Sequence, residues 1–442
     1  HSGDWGGLLI AGRSFHNLLT GDDNVQMEGF NNISFDPTLA HFGGTDEHDN
    51  SGIVSYLRIE FGGVAFETNK EINALTMGSI GDETLIDHVQ VSHSGDDSFE
   101  WFGGTVNTKY LIAWKGADDD FDTDNGYSGL SQFGIGVRDS AYYDPTYSLS
   151  SGGSTSEGFE SDNESTGTAN VRPYTNGIFS NYTMVGPIPV GSEYAEMSSV
   201  TKAAFRRGAR IRRNSSLRIV NSIFMGYRNF LMIDGDSSLH NTNYPAILSL
   251  VTPSTPVNVT SHQISFANNL IVNTDAAFSN AADTTANGLV EVTRAAGSNA
   301  KLNAVDAWIR ASGPLENNID PVPFTTETVL INPVSASTTP NFRPVFGSPA
   351  LSGSNFFDNP VLENLITSSD EIDIAKFGPV FPNPIANGNL YFGEEAVSFG
   401  IFDISGKIVS HGFNTDHALI NELPKGIYFI KLDGMIQKFV VQ

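Results

Sequence analysis

Cysteine is absent from the 442 residues. Disulfides therefore cannot staple the fold and thiolate chemistry is excluded, so stability has to come from core burial, hydrogen-bond ladders and bound cations. Basic residues are scarce, with 24 Lys+Arg against 50 Asp+Glu and a formal net charge of -26. A surface of that sign repels a phosphate backbone, which excludes nucleic acid as a partner. No apolar run approaches the roughly 20 residues that a membrane helix needs, so no membrane span is expected. Long amphipathic helical patterns are also rare along residues 1–350.

Short apolar strands punctuated by Gly, Asn and Asp fill that stretch, which is the texture of an all-β chain. Gly, with 44 copies, suits turns that need a positive φ, which other residues enter at a steric cost. The segments VQVSHSGDDSF at 89–99 and YLIAWKGADDDF at 110–121 align with each other, and LRIEFGG at 57–63 matches the start of both. NSIFMGYRNF at 221–230 and NNLIVNTDAAF at 268–278 share a second pattern of short strand, Gly or Asn corner and Phe. A repeat of roughly 21–22 residues fits one coil of a parallel β-helix, whose inward face is buried only by stacking on its neighbours. The competing architecture is a sandwich of two face-packed antiparallel sheets.

The acidic turn Asp118, Asp119, Asp120, Asp122, Asp124, Asn125, Gly126 is the candidate for site chemistry. Alternating carboxylates before a Gly resemble the front half of a calcium loop, and Asp118, Asp120, Asp122 and Asp124 are the predicted metal ligands. The twelfth position from Asp120 is Ser131 rather than Glu, which rules out an EF-hand. Asp96 and Asp97 sit one repeat earlier and are expected to stack beside Asp118 and Asp119, where the charges would repel without a cation. Solvated acidic turns are the alternative, and they also account for Asp46, Glu47, His48, Asp49 and Asn50. His88 and His93 are five apart, so a strand would turn them to opposite faces.

Between Glu196 and Asp234 the charge reverses, with Lys202, Arg206, Arg207, Arg210, Arg212, Arg213, Arg218 and Arg228 in a stretch without acidic residues. Three roles compete for this strip: pairing with the acidic edge, contact with an anionic glycan or lipopolysaccharide, and supply of a base such as Arg210 to a calcium-dependent polysaccharide lyase. The acidic turns and the arginines lie roughly five coils apart in sequence on that repeat, so adjacency is not implied. Paired carboxylates on neighbouring coils also satisfy a hydrolase formally. Trp101, Trp114, Tyr127, Tyr142 and Tyr143 suit either a sugar-stacking platform or the core. SLSSGGSTSEGFESDNESTGTAN at 148–170 reads as a flexible polar excursion.

The last sixty residues have a texture of their own. FPNP at 381–384 is followed by VSFGIFDISGKIV at 397–409 and LPKGIYFIKLDGMIQKFVVQ to the terminus. Alternation in these runs gives each strand one core-facing side. In this order the elements resemble the C-terminal sorting domain of Bacteroidetes proteins exported by the type 9 secretion system, and the motif positions are Pro382, Asn383, Pro384, Gly406, Lys407, Gly426, Tyr428 and Lys438.

DWGGLLIAGRS at 4–14, DNSGIVSYLRIEFGG at 49–63, the repeats at 89–139 and FRPVFGSPAL at 342–351 are similar to secreted right-handed parallel β-helix proteins that end in such a domain. The resemblance implies a right-handed parallel β-helix body at 1–355, a linker at 356–380 and a small antiparallel β-sandwich at 381–442. It further implies export through the periplasm to the cell surface or beyond, with the translocon and outer-membrane shuttle and attachment proteins as partners. No signal peptide stands at His1, so the expected chain is mature or truncated. For the body, the expectation is a binding or structural role; the alternative is the calcium-dependent lyase or another glycan-active enzyme.

Overall fold

The computed structural model describes residues 1–18, 25–28, 30, 40–67, 70–143, 155–167, 171–188, 196–252, 263–272, 289–292, 299–311, 318, 329–333, 337, 339–346, 348–351, 354, 380, 382–385, 388–403, 407–421, 423–432 and 435–442. The chain divides into two compact units, His1–Asn359 and Pro360–Gln442. The predicted linker lies, except for Val380, outside the described residues.

The first unit is a parallel β-helix. One of its sheets stacks eight parallel strands in the order Leu8–Ala11, Leu75–Gly78, Phe99–Phe102, Phe121–Asp124, Phe159–Ser161, Arg207–Ile211, Asn229–Ile233 and Val290–Val292. Leu8, Leu75, Phe99, Phe121, Phe159, Ala209, Leu231 and Val290 are in register and face inward. Because side chains alternate along a strand, the intervening residues face out. Inside, the rings of Phe99, Phe121 and Phe159 stack at 5.4 and 5.2 Å.

The opposing sheet begins with three long strands, Ile53–Glu60, Leu85–Ser92 and Thr108–Trp114, then forks. One branch continues through Leu130–Gln132, Ile178–Ser180, Arg218–Val220 and Ser265–Ala267, the other through Ile135–Val137, Thr183–Val185, Ile223–Met225 and Leu270–Val272. The bend at the fork recurs as a column of residues with φ from 50° to 62°: Tyr56, His88, Tyr110, Phe133, Asn181, Asn221 and Asn268. Asn enters this left-handed region cheaply. In the first four coils the aromatic rings stack instead, at 4.4, 4.5 and 5.3 Å. His88 is therefore a corner residue within this stack, and His93, also at positive φ, stacks on Phe61 at 5.2 Å.

The helix Asn299–Ile309 packs Leu302, Val305, Trp308 and Ile309 onto the core beside the strand Val290–Val292. The hairpin Leu330–Asn332/Asn341–Pro344 covers an outward apolar strip formed by Val137, Val185, Met225, Leu270 and Val272.

The second unit is a four-stranded antiparallel sheet of Asn389–Asp403, Ile408–Leu419, Gly426–Leu432 and Met435–Val441. Tyr428 and Ile430 are buried, whereas Ile427 and Phe429 are exposed, as alternation requires. Between the pairs Tyr391↔His417 and Ala396↔Thr415 one strand advances five positions and its partner two. That odd excess of three transfers the inward face from Leu390 and Phe392 to Phe399 and Ile401, so one long strand lines two sides of its own core.

Several sorting-motif residues sit at structural joints. Asn383 accepts the Val440 N–H at 3.0 Å, and Ile385 bonds the last strand on both sides, clamping Pro382–Pro384 to the terminus. The Tyr428 hydroxyl donates to the Pro424 carbonyl at 2.8 Å, and Lys407 N–H donates to Asp403 at 3.1 Å. Gly426 opens its strand and Lys438 pairs with Phe429 in the final ladder, while Gly406 lies outside the described residues.

Candidate functional site

Parallel in-register stacking brings like side chains to adjacent rungs about 4.8 Å apart. On the outer face of the eight-stranded sheet this yields the column Thr76, Glu100, Asp122, Glu160, Arg210, Met232 and Glu291. A second column beside it runs Phe102, Asp124, then Asp162 and Arg212 directly after their strands. Both border a cleft of about 880 Å³ lined also by Glu28, Asp96, Asp97, Asp118, Tyr142 and Arg213.

Three coils turn into this sheet through an acidic corner whose carboxylate serves the backbone of the next. Asp97 Oδ1 accepts the N–H of Asp119 at 2.8 Å, Asp119 accepts that of Glu157, and Glu157 Oε2 accepts that of Arg207 at 2.8 Å. A carboxylate oxygen thus meets an otherwise orphaned donor at each of these three rungs.

Among the described residues three carboxylate triplets have ligand atoms within 4.8 Å of one another: Asp96, Asp97 and Asp118; Asp97, Glu100 and Asp122; and Asp119, Asp122 and Glu160. Burial, reinforced by the neighbouring carboxylates, pushes Asp97, Glu100, Asp119 and Asp122 well above the usual carboxylate range. Burial and Asp162 raise Asp124 to about 8. The Oδ1 of Asp122 is shielded from solvent and accepts no hydrogen bond among the described residues. An orphaned, buried carboxylate oxygen among other carboxylates fits a hard, oxygen-seeking cation.

Of the predicted metal ligands, Asp118 and Asp122 join these triplets, and Asp124 lies on the outer face two positions beyond Asp122. Asp120 is elsewhere. It turns into the solenoid interior, where Arg138 Nε lies 3.1 Å away and both side chains are wholly buried. Burial raises Asp120 to about 7 against the pull of Arg138. Room for the pair depends on Gly136, where a Cβ would lie 2.8 Å from Asp120 Oδ2 and 2.5 Å from Met184 Cε. The D-x-D-x-D run is a strand entered through a corner, so its alternation does not place all four carboxylates together.

Sequence distance between the acidic turns and the arginines proves misleading. Phe121–Asp124 pairs with Phe159–Ser161, which pairs with Arg207–Ile211, so only two rungs separate them. Between them the chain forms Leu130–Gln132, Ile135–Val137, Ile178–Ser180 and Thr183–Val185 of the opposing sheet. Part of the 148–170 segment, read as a flexible excursion, is itself a rung and supplies Glu157, Glu160 and Asp162. The signal was present: GFESD at 158–162 repeats the Phe-acid-x pattern of SFEWF at 98–102 and DFDTD at 120–124.

The arginine strip pairs with this acidic edge. Arg207 joins Glu157 and Glu291 at 2.6 and 2.8 Å, Arg210 joins Glu160 and Asp234 at 3.1 and 2.9 Å, and Arg213 joins Asp162 at 2.7 Å. Arg212 grips both Asp162, at 2.7 Å, and Glu160. Burial opposes the charge on Arg210, but Glu160 more than offsets it and holds the guanidinium above its ordinary value. Trp101 and Tyr127 are core residues, Trp114 packs on Phe342, and Tyr142 and Tyr143 line the cleft.

Residues 1–311 match the family model described as a pectate-lyase like beta helix domain, and the chain belongs to that family. Residues 379–442 match a secretion system C-terminal sorting domain, which makes the protein a cargo of the type 9 secretion machinery, destined for secretion or the cell surface. No curated protein and no solved structure matches the chain. Among the described residues no helix is long and apolar enough to cross a membrane.

Proposed function

We propose that the β-helix body is a calcium-dependent binding module for an anionic polysaccharide outside the cell, such as the sugar of a lipopolysaccharide, delivered there by the C-terminal domain. The observation that carries this reading is the solvent-shielded Oδ1 of Asp122, which has no hydrogen-bond partner among the described residues, within a column of carboxylates. Carboxylates, with Asp118 and Asp124 at their flank, favour a hard divalent ion such as calcium over softer metals. A polyanion is repelled by the bare cleft and attracted once an ion bridges it, with Arg213 half exposed at the same wall. Binding of the full chain to immobilised anionic polysaccharides in calcium and in chelator tests this. Retention that is equal in both refutes it.

A second reading is favoured by the two-rung distance between carboxylates and arginines. A polysaccharide lyase uses a cation to acidify the proton beside a uronate carboxyl, and a base removes it as the glycosidic oxygen leaves. Arg210, doubly ion-paired and held protonated, is poorly suited as that base. Formation of unsaturated sugar product, lost on chelation and in Arg210→Ala, would establish the lyase over the binding module. For the tail, the outer-membrane shuttle and attachment proteins are the expected partners. Deleting residues 381–442 is expected to trap the protein in the periplasm.

A further inference from the structure

Two of the buried triplets share Asp122 but differ in what already neutralises them. Beside Asp119 and Asp122, Glu160 has both oxygens taken by guanidinium groups, Oε1 by Arg210 at 3.1 Å and Oε2 by Arg212. Beside Asp97 and Asp122, the engaged oxygens meet neutral donors: the Asp119 N–H at 2.8 Å on Asp97 and the Asn73 amide on Glu100. Positive charge is thus built in on one rung and supplied only by neighbours on the next. The remaining triplet shares Asp97, and its Asp96 and Asp118 are part-exposed, so water already solvates much of their charge.

Resting on the cation reading above, we infer that the cleft takes a single calcium ion, seated on Asp97, Glu100 and Asp122, and that Arg212 with Arg210 stands in the place of a second ion beside Asp119, Asp122 and Glu160. The orphaned Asp122 Oδ1 points to the ligand independently of the clustering, because it is the oxygen in the shared position that no donor among the described residues satisfies. Arg212 suits a counter-ion role: burial works against its charge, yet Glu160 and Asp162 hold it firmly protonated. A rung spacing of about 4.8 Å would place a second dication next to the first, whereas a guanidinium there carries half the charge and is tethered.

The test is calcium titration of the full chain by calorimetry, with total bound calcium measured after dialysis. The expected wild-type stoichiometry is one per chain. Arg212→Gln is expected to raise it to two, and Glu100→Gln to weaken the wild-type site at least tenfold, more than Glu160→Gln does. No calcium on the wild type sinks the cation reading itself. Two ions on the wild type, one on a folded Arg212→Gln, or a larger loss with Glu160→Gln than with Glu100→Gln overturns this inference and leaves that reading standing. If Arg212→Gln does not fold, the wild-type count and the two glutamate variants still decide.

Discussion

Asp122→Asn should change the stability of this protein in opposite directions with and without calcium. The substitution keeps size and shape but removes one negative charge from a site where two carboxylate triplets converge within 4.8 Å. At that distance and an effective dielectric of 20, each ionised neighbour costs about 3 kcal/mol. Arg212 and partial protonation cancel much of the sum, leaving a gain of about 2 kcal/mol for the variant in chelator at pH 8. Calcium reverses the order. An ion at a thousand times its dissociation constant stabilises the wild type by about 4 kcal/mol, and a variant that has lost the shared ligand gains little of that. Urea unfolding followed by tryptophan fluorescence reads the body alone, since Trp5, Trp101, Trp114 and Trp308 all lie in the first unit. A variant less stable than wild type in chelator would show that the Asp122 charge serves the fold, and the reasoning would fail. So would wild-type stability that calcium leaves unmoved.

The metal-free protein should lose stability as pH rises. Asp120 and Asp124 titrate near 7 and 8 in the fold against an ordinary 3.8, so the native state holds protons that the unfolded chain releases. Such a contribution is complete at low pH and disappears as pH climbs through the folded values, so the urea midpoint in chelator should fall between about pH 4 and 8. Calcium should flatten the part that comes from the cleft; a midpoint rising over this window would refute the assignment. Asp120→Ala, by contrast, strands the buried Arg138 guanidinium and should cost about 3–5 kcal/mol with or without calcium, which the same titrations check. Replacing both members with apolar residues of similar volume should recover most of that loss.

The coil repeat was legible because two uninterrupted coils lie next to each other in sequence. Val89 pairs with Leu111 and Phe99 with Phe121, both 22 residues apart, as the repeats at 89–121 imply. The site was only half legible. A solenoid accepts insertions at its corners without losing register, so chain distance stops measuring rungs: Phe121 to Phe159 and Phe159 to Ala209 are each one step. Counting residues therefore placed the arginines far from acidic turns that lie only two rungs away. Polar composition hid the rung at Phe159 for a related reason, since a strand of three residues contributes too little apolar signal to outweigh its Ser- and Gly-rich flanks. Asp120 was misassigned because spacing alone does not reveal where a strand begins, and that residue sits at the corner just before Phe121.

In-register stacking forces a parallel β-helix to deal with every ionised column, because each charge meets its like one rung away. Here the chain uses two devices repeatedly. Corner carboxylates Asp97, Asp119 and Glu157 are satisfied by backbone N–H groups of the next coil. Glu160, Asp162 and Glu291 are satisfied by guanidinium groups; burial works against Glu291, yet Arg207 and Arg228 bring it down to about 2. Asp122 receives Coulombic help from Arg212, but its Oδ1 has neither device among the described residues. A fold that repeats a remedy coil after coil and omits it at one shared position leaves that position with a cost that a ligand can remove, and among clustered carboxylates a cation is the ligand expected to do so.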